Sequence, residues 1–112
     1  MSTLPRARQE ELQTPYGPVI GSSYRWEGGQ YRAIHTARGV VGCGIYDLAC
    51  ADAFGMAVAV ARGTPAAPLR EPEDLFPARG VGVSRAAAEL GITVGMTGLE
   101  AVGKMLAAGR SG

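Results

Sequence analysis

Two neighbouring stretches, residues 19–26 and 31–38, alternate between apolar and polar residues and are separated by Glu27, Gly28, Gly29 and Gln30. Alternation with a period of two is typical of a strand that buries one face. Because two adjacent glycines can both adopt a positive φ, Gly28 and Gly29 predict a two-residue hairpin turn. That turn sets the predicted register, which places Trp26 opposite Tyr31, Tyr24 opposite Ala33, Ser22 opposite His35 and Ile20 opposite Ala37.

This register gives the two faces of the hairpin different chemistry. One face is aromatic and apolar, with Tyr24, Trp26 and Tyr31 grouped together, and the other is polar and cationic, with Arg25 opposite Arg32. If helices already cover the inner face of the sheet, the aromatic rings form an exposed apolar patch, and such patches are normally interfaces. We therefore expect the three aromatic residues to lie in an oligomer interface. The alternative is that they fill the core of the monomer.

Shorter signals predict the other elements of the first two thirds of the chain. Polar residues 9–14 predict an edge strand, and Asp47 predicts the N-cap of a short helix that ends at Gly55. The proline-rich stretch 64–72 predicts a surface connection that ends in one helical turn at residues 73–76. Further strands are predicted at residues 39–45, 56–61 and 79–83.

The last third of the chain predicts two separate helices. Ser84 offers a side-chain oxygen to the free N–H groups of the first helix, and Gly91 is suited to the left-handed conformation that ends it. Thr97 and Glu100 stand three residues apart, the spacing of a capping box, and predict the start of the second helix.

The order of these elements, strands first and two helices last, indicates an α+β fold. We expect the N-terminal strands and hairpin to form a mostly antiparallel or mixed sheet, with a short middle helix and two C-terminal helices packed on one face. Residues 1–8 are expected to be a mobile terminus because they offer little to bury. Residues 9–112 are expected to form a single α+β domain.

Composition excludes some classes of function. The 11 basic and 10 acidic residues nearly cancel, so no strong field for binding polyanions is implied. The N-terminus lacks the apolar segment of a signal peptide, and no apolar run approaches the roughly 20 residues that span a bilayer. Two cysteines are too few for a disulfide-stapled secreted fold. We therefore expect a cytoplasmic protein with no membrane partner.

Cys43 is the first candidate for catalysis. Its flanking glycines, Gly42 and Gly44, remove side-chain cover, and the N-terminus of the helix at Asp47 would favour a thiolate nearby. No histidine or aspartate partner for a catalytic cysteine is legible in the sequence. A buried structural cysteine is the competing interpretation.

His35 and Arg62 are candidates for ligand binding. His35 is predicted to pair with Ser22, and Arg62 follows a buried strand, where residues commonly line sites. The ordinary roles are a hydrogen-bonded surface histidine and a solvated strand end. The cysteine and histidine spacing predicts no metal site, and the sequence identifies no cofactor.

Residues 88–93 imitate the turn of a helix-turn-helix DNA-binding motif. The presumed recognition helix, residues 98–108, carries Lys104 but no Arg, Asn or Gln to contact base edges. Nucleic acid is therefore disfavoured as a partner.

The motifs taken together resemble the YunC-like family of small bacterial and archaeal proteins, a domain of unknown function. The resemblance covers roughly residues 17–107, and its most specific part is the tail Gly95-Met96-Thr97-Gly98. It implies an α+β fold whose N-terminal β region mediates tetramer formation, with no established substrate, cofactor or catalytic residue. The loop at residues 64–69 is longer and more proline-rich than the family pattern.

These observations predict a homo-oligomer, and specifically a homotetramer, that binds a small ligand or a protein partner. The alternatives are a small enzyme that uses Cys43 as its nucleophile and, less favoured, a helix-turn-helix-like nucleic-acid binder. Neither the ligand nor the reaction can be deduced from these residues.

Overall fold

The computed structural model of the chain describes residues 4–110, which form one six-stranded mixed sheet, three α-helices and one 3-10 helix. The α+β fold expected from the sequence is confirmed. The strands are β1 (Arg6–Thr14), β2 (Gly17–Trp26), β3 (Gly29–Thr36), β4 (Gly39–Gly42), β5 (Val58–Arg62) and β6 (Arg79–Val83). The α-helices are α1 (Leu48–Ala53), α2 (Arg85–Glu89) and α3 (Gly98–Arg110), and the 3-10 helix is Pro72–Leu75.

The strands lie in the sheet in the same order as in the chain, from β1 to β6. Every neighbouring pair is antiparallel except β4 and β5, which are parallel and connected through α1. β1 is an edge strand, as predicted, but it begins at Arg6 instead of Gln9. Arg6 and Arg8 pair with Arg25 and Ser23 of β2. Of the segment expected to be mobile, residues 1–3 lie outside the described residues.

The hairpin between β2 and β3 has a different register from the predicted one. Trp26 lies opposite Gly29, so the turn residues are Glu27 and Gly28, and Gly28 has a φ of 93°. A Cβ at position 29 would overlap the indole ring of Trp26, so a glycine opposite Trp26 makes room for that ring. The pairs become Tyr24 with Tyr31, Ser22 with Ala33, Ile20 with His35, Arg25 with Gln30 and Ser23 with Arg32.

One face of the sheet, the covered face, carries the main hydrophobic core. The helices α2 and α3 contribute Ala87, Ala101, Val102 and Met105 to this core, as predicted for two helices on one face. The strands contribute Val19, Ile34, Val41, Ala59 and Ala61 to the same cluster.

The opposite face is covered only in part by the described residues. There α1 packs Ala51 against Val58 and Val60 of β5, with Tyr46 and Leu48 at the side. The part of this face formed by β1–β3, called the open face below, keeps Tyr24 and Trp26 exposed. The residues of β2 and β3 on it are Pro18, Ile20, Ser22, Tyr24, Trp26, Gly29, Tyr31, Ala33 and His35.

An ionic cluster fastens β1 and β2 to the 3-10 helix on the covered face. Arg8 bonds Glu71 at 2.6 Å and Glu73 at 3.0 Å, and Arg25 bonds Glu71 at 3.1 Å. The hydrogen bond from Arg8 lowers the pKa of Glu73, and the bond to Glu73 raises the pKa of Arg8. Because these side chains are partly exposed to solvent, which screens their charges, their role is to orient the segment more than to stabilise it.

The predicted helix ends are confirmed. The carboxylate of Asp47 accepts a 2.9 Å hydrogen bond from the N–H of Ala49, and Gly91 has a φ of 91°. Thr97 and Glu100 form the reciprocal capping box, with bonds of 3.1 Å in both directions. Ser84 caps α2 through Ala87, so α2 and α3 are separate helices.

Ser84 also does more than cap α2. Its hydroxyl is fully buried, accepts a 2.9 Å bond from the N–H of Val58 and donates a 2.7 Å bond to the carbonyl of Met56. We predict that Ser84→Ala lowers the free energy of unfolding by roughly 2–4 kcal/mol, because it removes a cap and leaves the buried Val58 N–H unpaired. Thr97→Ala, the matched change at an exposed cap, should lower it by about 1 kcal/mol. Urea denaturation measures both values, and equal losses would contradict the additional role of Ser84.

Candidate functional site

The open face holds a cavity of about 470 Å³. Strands β1, β2 and β3 supply most of its lining, and Tyr46 closes one side. Its mixture of tyrosine rings, hydroxyl groups, an amide and an imidazole is suited to a polar organic ligand. The lining residues are Gln9, Ile20, Ser22, Tyr24, Tyr31, His35 and Tyr46.

A serine–histidine pair lies in this cavity. Ser22 Oγ and His35 Nε2 are 2.8 Å apart. The sequence predicted that these residues lie directly opposite each other, but in the structure they are diagonal neighbours. Burial lowers the pKa of His35 below its ordinary value of 6.5. The ring is therefore neutral at pH 7 and is able to accept or donate a hydrogen bond. Nucleophilic catalysis by a serine requires an orienting group and oxyanion donors in addition to such a pair. The pair itself offers a ligand a hydroxyl group and an imidazole for hydrogen bonding.

Three aromatic rings continue the open face towards the hairpin turn. Tyr24 and Tyr31 are stacked, with ring centroids 5.1 Å apart and planes 20° from parallel. Trp26 meets Tyr31 edge-on at 6.1 Å. Tyr24 is 38% exposed and Trp26 46% exposed. The rings therefore pack on each other and leave apolar surface in contact with solvent.

Tyr46, like Gln9, lines this cavity and was not among the candidate residues of the sequence. Its ring lies on Gly42, where a Cβ would overlap it. Burial raises the pKa of Tyr46. The signal was present in the glycine before Cys43, which we interpreted as access for a ligand. Gly42 instead provides the space for a tyrosine ring, while Gly44 is open.

Cys43 lies apart from His35. The N–H of Cys43 donates a 3.2 Å bond to the carbonyl of Arg32, which extends the β3–β4 ladder by one pair and puts Cys43 opposite Arg32. Residues directly opposite on antiparallel strands share a face. Since Arg32 and His35 are three residues apart on β3, their side chains lie on opposite faces of the sheet. Cys43 is buried and Cys50 is exposed.

Arg62 is also distant from the serine–histidine pair. It is exposed at the end of β5 and pairs with Arg79 of β6. The strand register puts it two strands away from His35 and about 13 Å further along the strand direction. Among residues 4–110, no group of three His, Cys, Asp or Glu side chains is placed to hold a metal ion. No helix in that range is both long and apolar enough to cross a membrane.

We predict that His35→Gln makes stability less dependent on pH between 7 and 5. His35 is the only histidine in the chain. Because its pKa is lowered in the folded protein, the unfolded chain takes up a proton near pH 6.5 that the folded protein does not. The stabilisation from neutral His35 is therefore full above pH 6.5 and is lost as the pH falls towards the lowered pKa. Glutamine keeps a hydrogen-bonding group near Ser22 and does not titrate.

Urea midpoints of both proteins at several pH values between 7 and 5 test this. The wild-type midpoint should fall more steeply with decreasing pH than that of His35→Gln. Carboxylates with lowered pKa values, such as Glu73 and Asp74, are shared by both proteins and cancel. Parallel curves would contradict the burial of a neutral imidazole.

Residues 42–105, more than half of the chain, match the family described as Domain of unknown function (DUF1805). The crystal structure of a protein of unknown function from Thermoplasma acidophilum has a similar fold, with a TM-score of 0.78 at 15% sequence identity. The similarity covers 90% of this chain and 94% of that one. No curated protein matches the chain. Because the family model covers more than half of the chain, the chain belongs to the DUF1805 family.

Proposed function

We propose that this protein works as a homo-oligomer, and specifically a tetramer, that assembles through the open face and binds a small ligand or protein partner in the cavity there. The proposal includes a cytoplasmic location and the narrower YunC-like assignment. The resemblance to YunC-like proteins supports assembly through the N-terminal β region. The DUF1805 match begins at Gly42, so the argument for assembly comes from β1–β3 themselves.

The observation that carries this proposal is the distribution of charge on β1–β3. Apart from His35, the open face of β1–β3 carries a single acidic or basic residue, Glu11. The covered face of the same strands bears the remaining charged residues, which are Arg6, Arg8, Glu10, Arg25 and Arg32. A sheet face that is left to solvent ordinarily carries polar and charged side chains, so a nearly uncharged open face is unusual.

Surfaces with few charges and exposed aromatic rings are typical of the centres of protein interfaces. A second copy of the chain is a suitable occupant because an almost uncharged patch meets no like-charge repulsion when it packs on itself. Trp26 and Tyr31 would form its aromatic centre. Burial of the three rings against another copy would remove apolar area from water and favour association.

Assembly over the open face would also enclose the cavity around Ser22 and His35. The cavity is now open to solvent on one side, and a small ligand needs burial of most of its surface to bind tightly. The neutral imidazole and the tyrosine hydroxyls favour a ligand that is polar and uncharged. The ligand site and the assembly surface are thus parts of one proposal.

Two other functions receive less support. A Cys43 enzyme would lack His35 as its base, because the two side chains lie on opposite faces; the neighbour of Cys43 is Arg32. A nucleic-acid binder would need a free recognition helix. Instead, α3 packs Ala101, Val102 and Met105 into the core.

We predict that light scattering gives a mass that is a multiple of 11.6 kDa, with four chains as the expected number. Replacement of both Trp26 and Tyr31 by Ser should dissociate the assembly, because the aromatic centre of the interface is lost. The circular dichroism of α2 and α3 should persist, since both helices belong to the core on the other face.

The matched control replaces two exposed apolar residues outside β1–β3, Phe54 and Val94, by Ser. This variant should keep the wild-type mass. A wild-type monomer at micromolar concentration would refute the proposal. If the control dissociates and the aromatic variant does not, the interface lies outside the open face and the proposal is wrong.

A further inference from the structure

Arg32 is a buried cation with unfilled hydrogen-bonding capacity. Its side chain lies on the covered face, and the residue is 4% exposed. Nη1 donates to the carbonyl oxygen of Leu69 in the proline-rich connection. Nε and Nη2 are buried and have no hydrogen-bond partner among the described residues.

The two unpartnered atoms form one edge of the guanidinium group. The N–H bonds of Nε and Nη2 on this edge point in nearly the same direction, which is the fork that binds the two oxygens of a carboxylate or phosphate. A buried charge is normally paired, because an unpaired one loses its hydration without compensation. An unpaired fork is therefore the part of Arg32 that needs explanation.

The carboxylates that attract Arg32 electrostatically, Asp74 and Glu71, are occupied by other donors. Asp74 accepts bonds of 2.9 and 2.8 Å from the backbone N–H groups of Arg70 and Glu71. Glu71 accepts bonds from Arg8 and Arg25. Neither carboxylate bonds the fork.

Cys43 is a further neighbour of Arg32, and its thiol is polarisable. It lies directly opposite Arg32 across the β3–β4 ladder, which puts their Cβ atoms about 5 Å apart. A thiolate at Cys43 would attract the guanidinium. Arg32 and Cys43 are therefore neighbours on the covered face, and both residues are buried.

We propose that Arg32 is the receptor for a small oxyanion, the carboxylate or phosphate group of a ligand, which binds its Nε–Nη2 fork beside Cys43. This site is on the opposite face of the sheet from the cavity of Ser22 and His35. A test of this site is therefore independent of a test of the proposed assembly. It also identifies the substrate class that a Cys43 enzyme would use, a molecule with a carboxylate or phosphate group.

Entry to this site involves the proline-rich connection. Its tip, residues 64–68, is exposed and closed by two backbone hydrogen bonds between Thr64 and Ala67, of 3.0 and 3.1 Å. Leu69 follows the tip, and its carbonyl is the group that holds Arg32. Displacement of the connection at Leu69 would release Nη1 of Arg32 without breaking a hydrogen bond of the sheet.

The first experiment uses wild-type protein labelled with ¹⁵N. Sodium phosphate or sodium acetate is titrated against sodium chloride at constant ionic strength, while the Arg32 Nε–H signal is followed by NMR. The signal is assigned by its absence from Arg32→Lys. We expect a saturable shift of this signal, and the anion that saturates at lower concentration identifies the preferred group. Absence of a saturable shift with both anions would overturn the proposal.

The second experiment compares melting temperatures in phosphate and chloride. Phosphate stabilises many proteins non-specifically, so the measured quantity is the difference between wild type and Arg32→Met. At phosphate ten times its dissociation constant, that difference should grow by about 5 °C in favour of wild type. Arg25→Lys, a change at a paired arginine of the same face, should respond as wild type does. If phosphate raises the melting temperatures of wild type and Arg32→Met equally, the proposal is overturned.

Discussion

The structure depends on one constraint: the helices packed on the sheet cover one of its faces more completely than the other. The thirteen-residue helix α3, together with α2 and the 3-10 helix, covers one side and contributes Val102, Met105 and Leu75 to a single core. The helix α1 has six residues and packs on β5. Within residues 4–110 this leaves the far side of β1–β3 with exposed aromatic rings.

The same constraint explains why the two faces of β1–β3 have an unusual charge distribution. The covered face at the end of the hairpin is packed by the 3-10 helix and its flanking residues, whose carboxylates require cationic partners such as Arg8 and Arg25. The charges are thus used within the monomer, and the open face is left nearly neutral. Arg32 is the exception on the covered face, since its fork has no carboxylate. The proposed assembly would cover the open face, and the proposed oxyanion would pair with Arg32.

The sequence predicts those features that neighbouring residues decide. The caps at Ser84 and Thr97 and the turn at Gly91 depend on groups within about four positions, and each was placed correctly. The hairpin register was wrong by two residues, because the ring of Trp26 requires a glycine opposite it and the alternation pattern does not record that contact. A shift of two residues keeps every side chain on its predicted face. The prediction that Tyr24, Trp26 and Tyr31 share one face is therefore correct. The bond from Arg32 to the carbonyl of Leu69 was not predictable, because the two residues lie 37 positions apart. Tyr46 lies only four positions from Gly42, but a glycine alone does not indicate which ring will fill the space beside it.

The central claim, that the open face is the contact surface between copies, is tested most directly by the fluorescence of Trp26, the only tryptophan of the chain. Acrylamide quenching is measured on wild-type protein over a dilution series, with light scattering on the same samples. The account predicts that quenching weakens and the emission shifts to shorter wavelength as the oligomer forms, since Trp26 passes from 46% exposed to buried. A Trp26 that remains equally accessible to acrylamide in samples that scatter as oligomers would contradict the account.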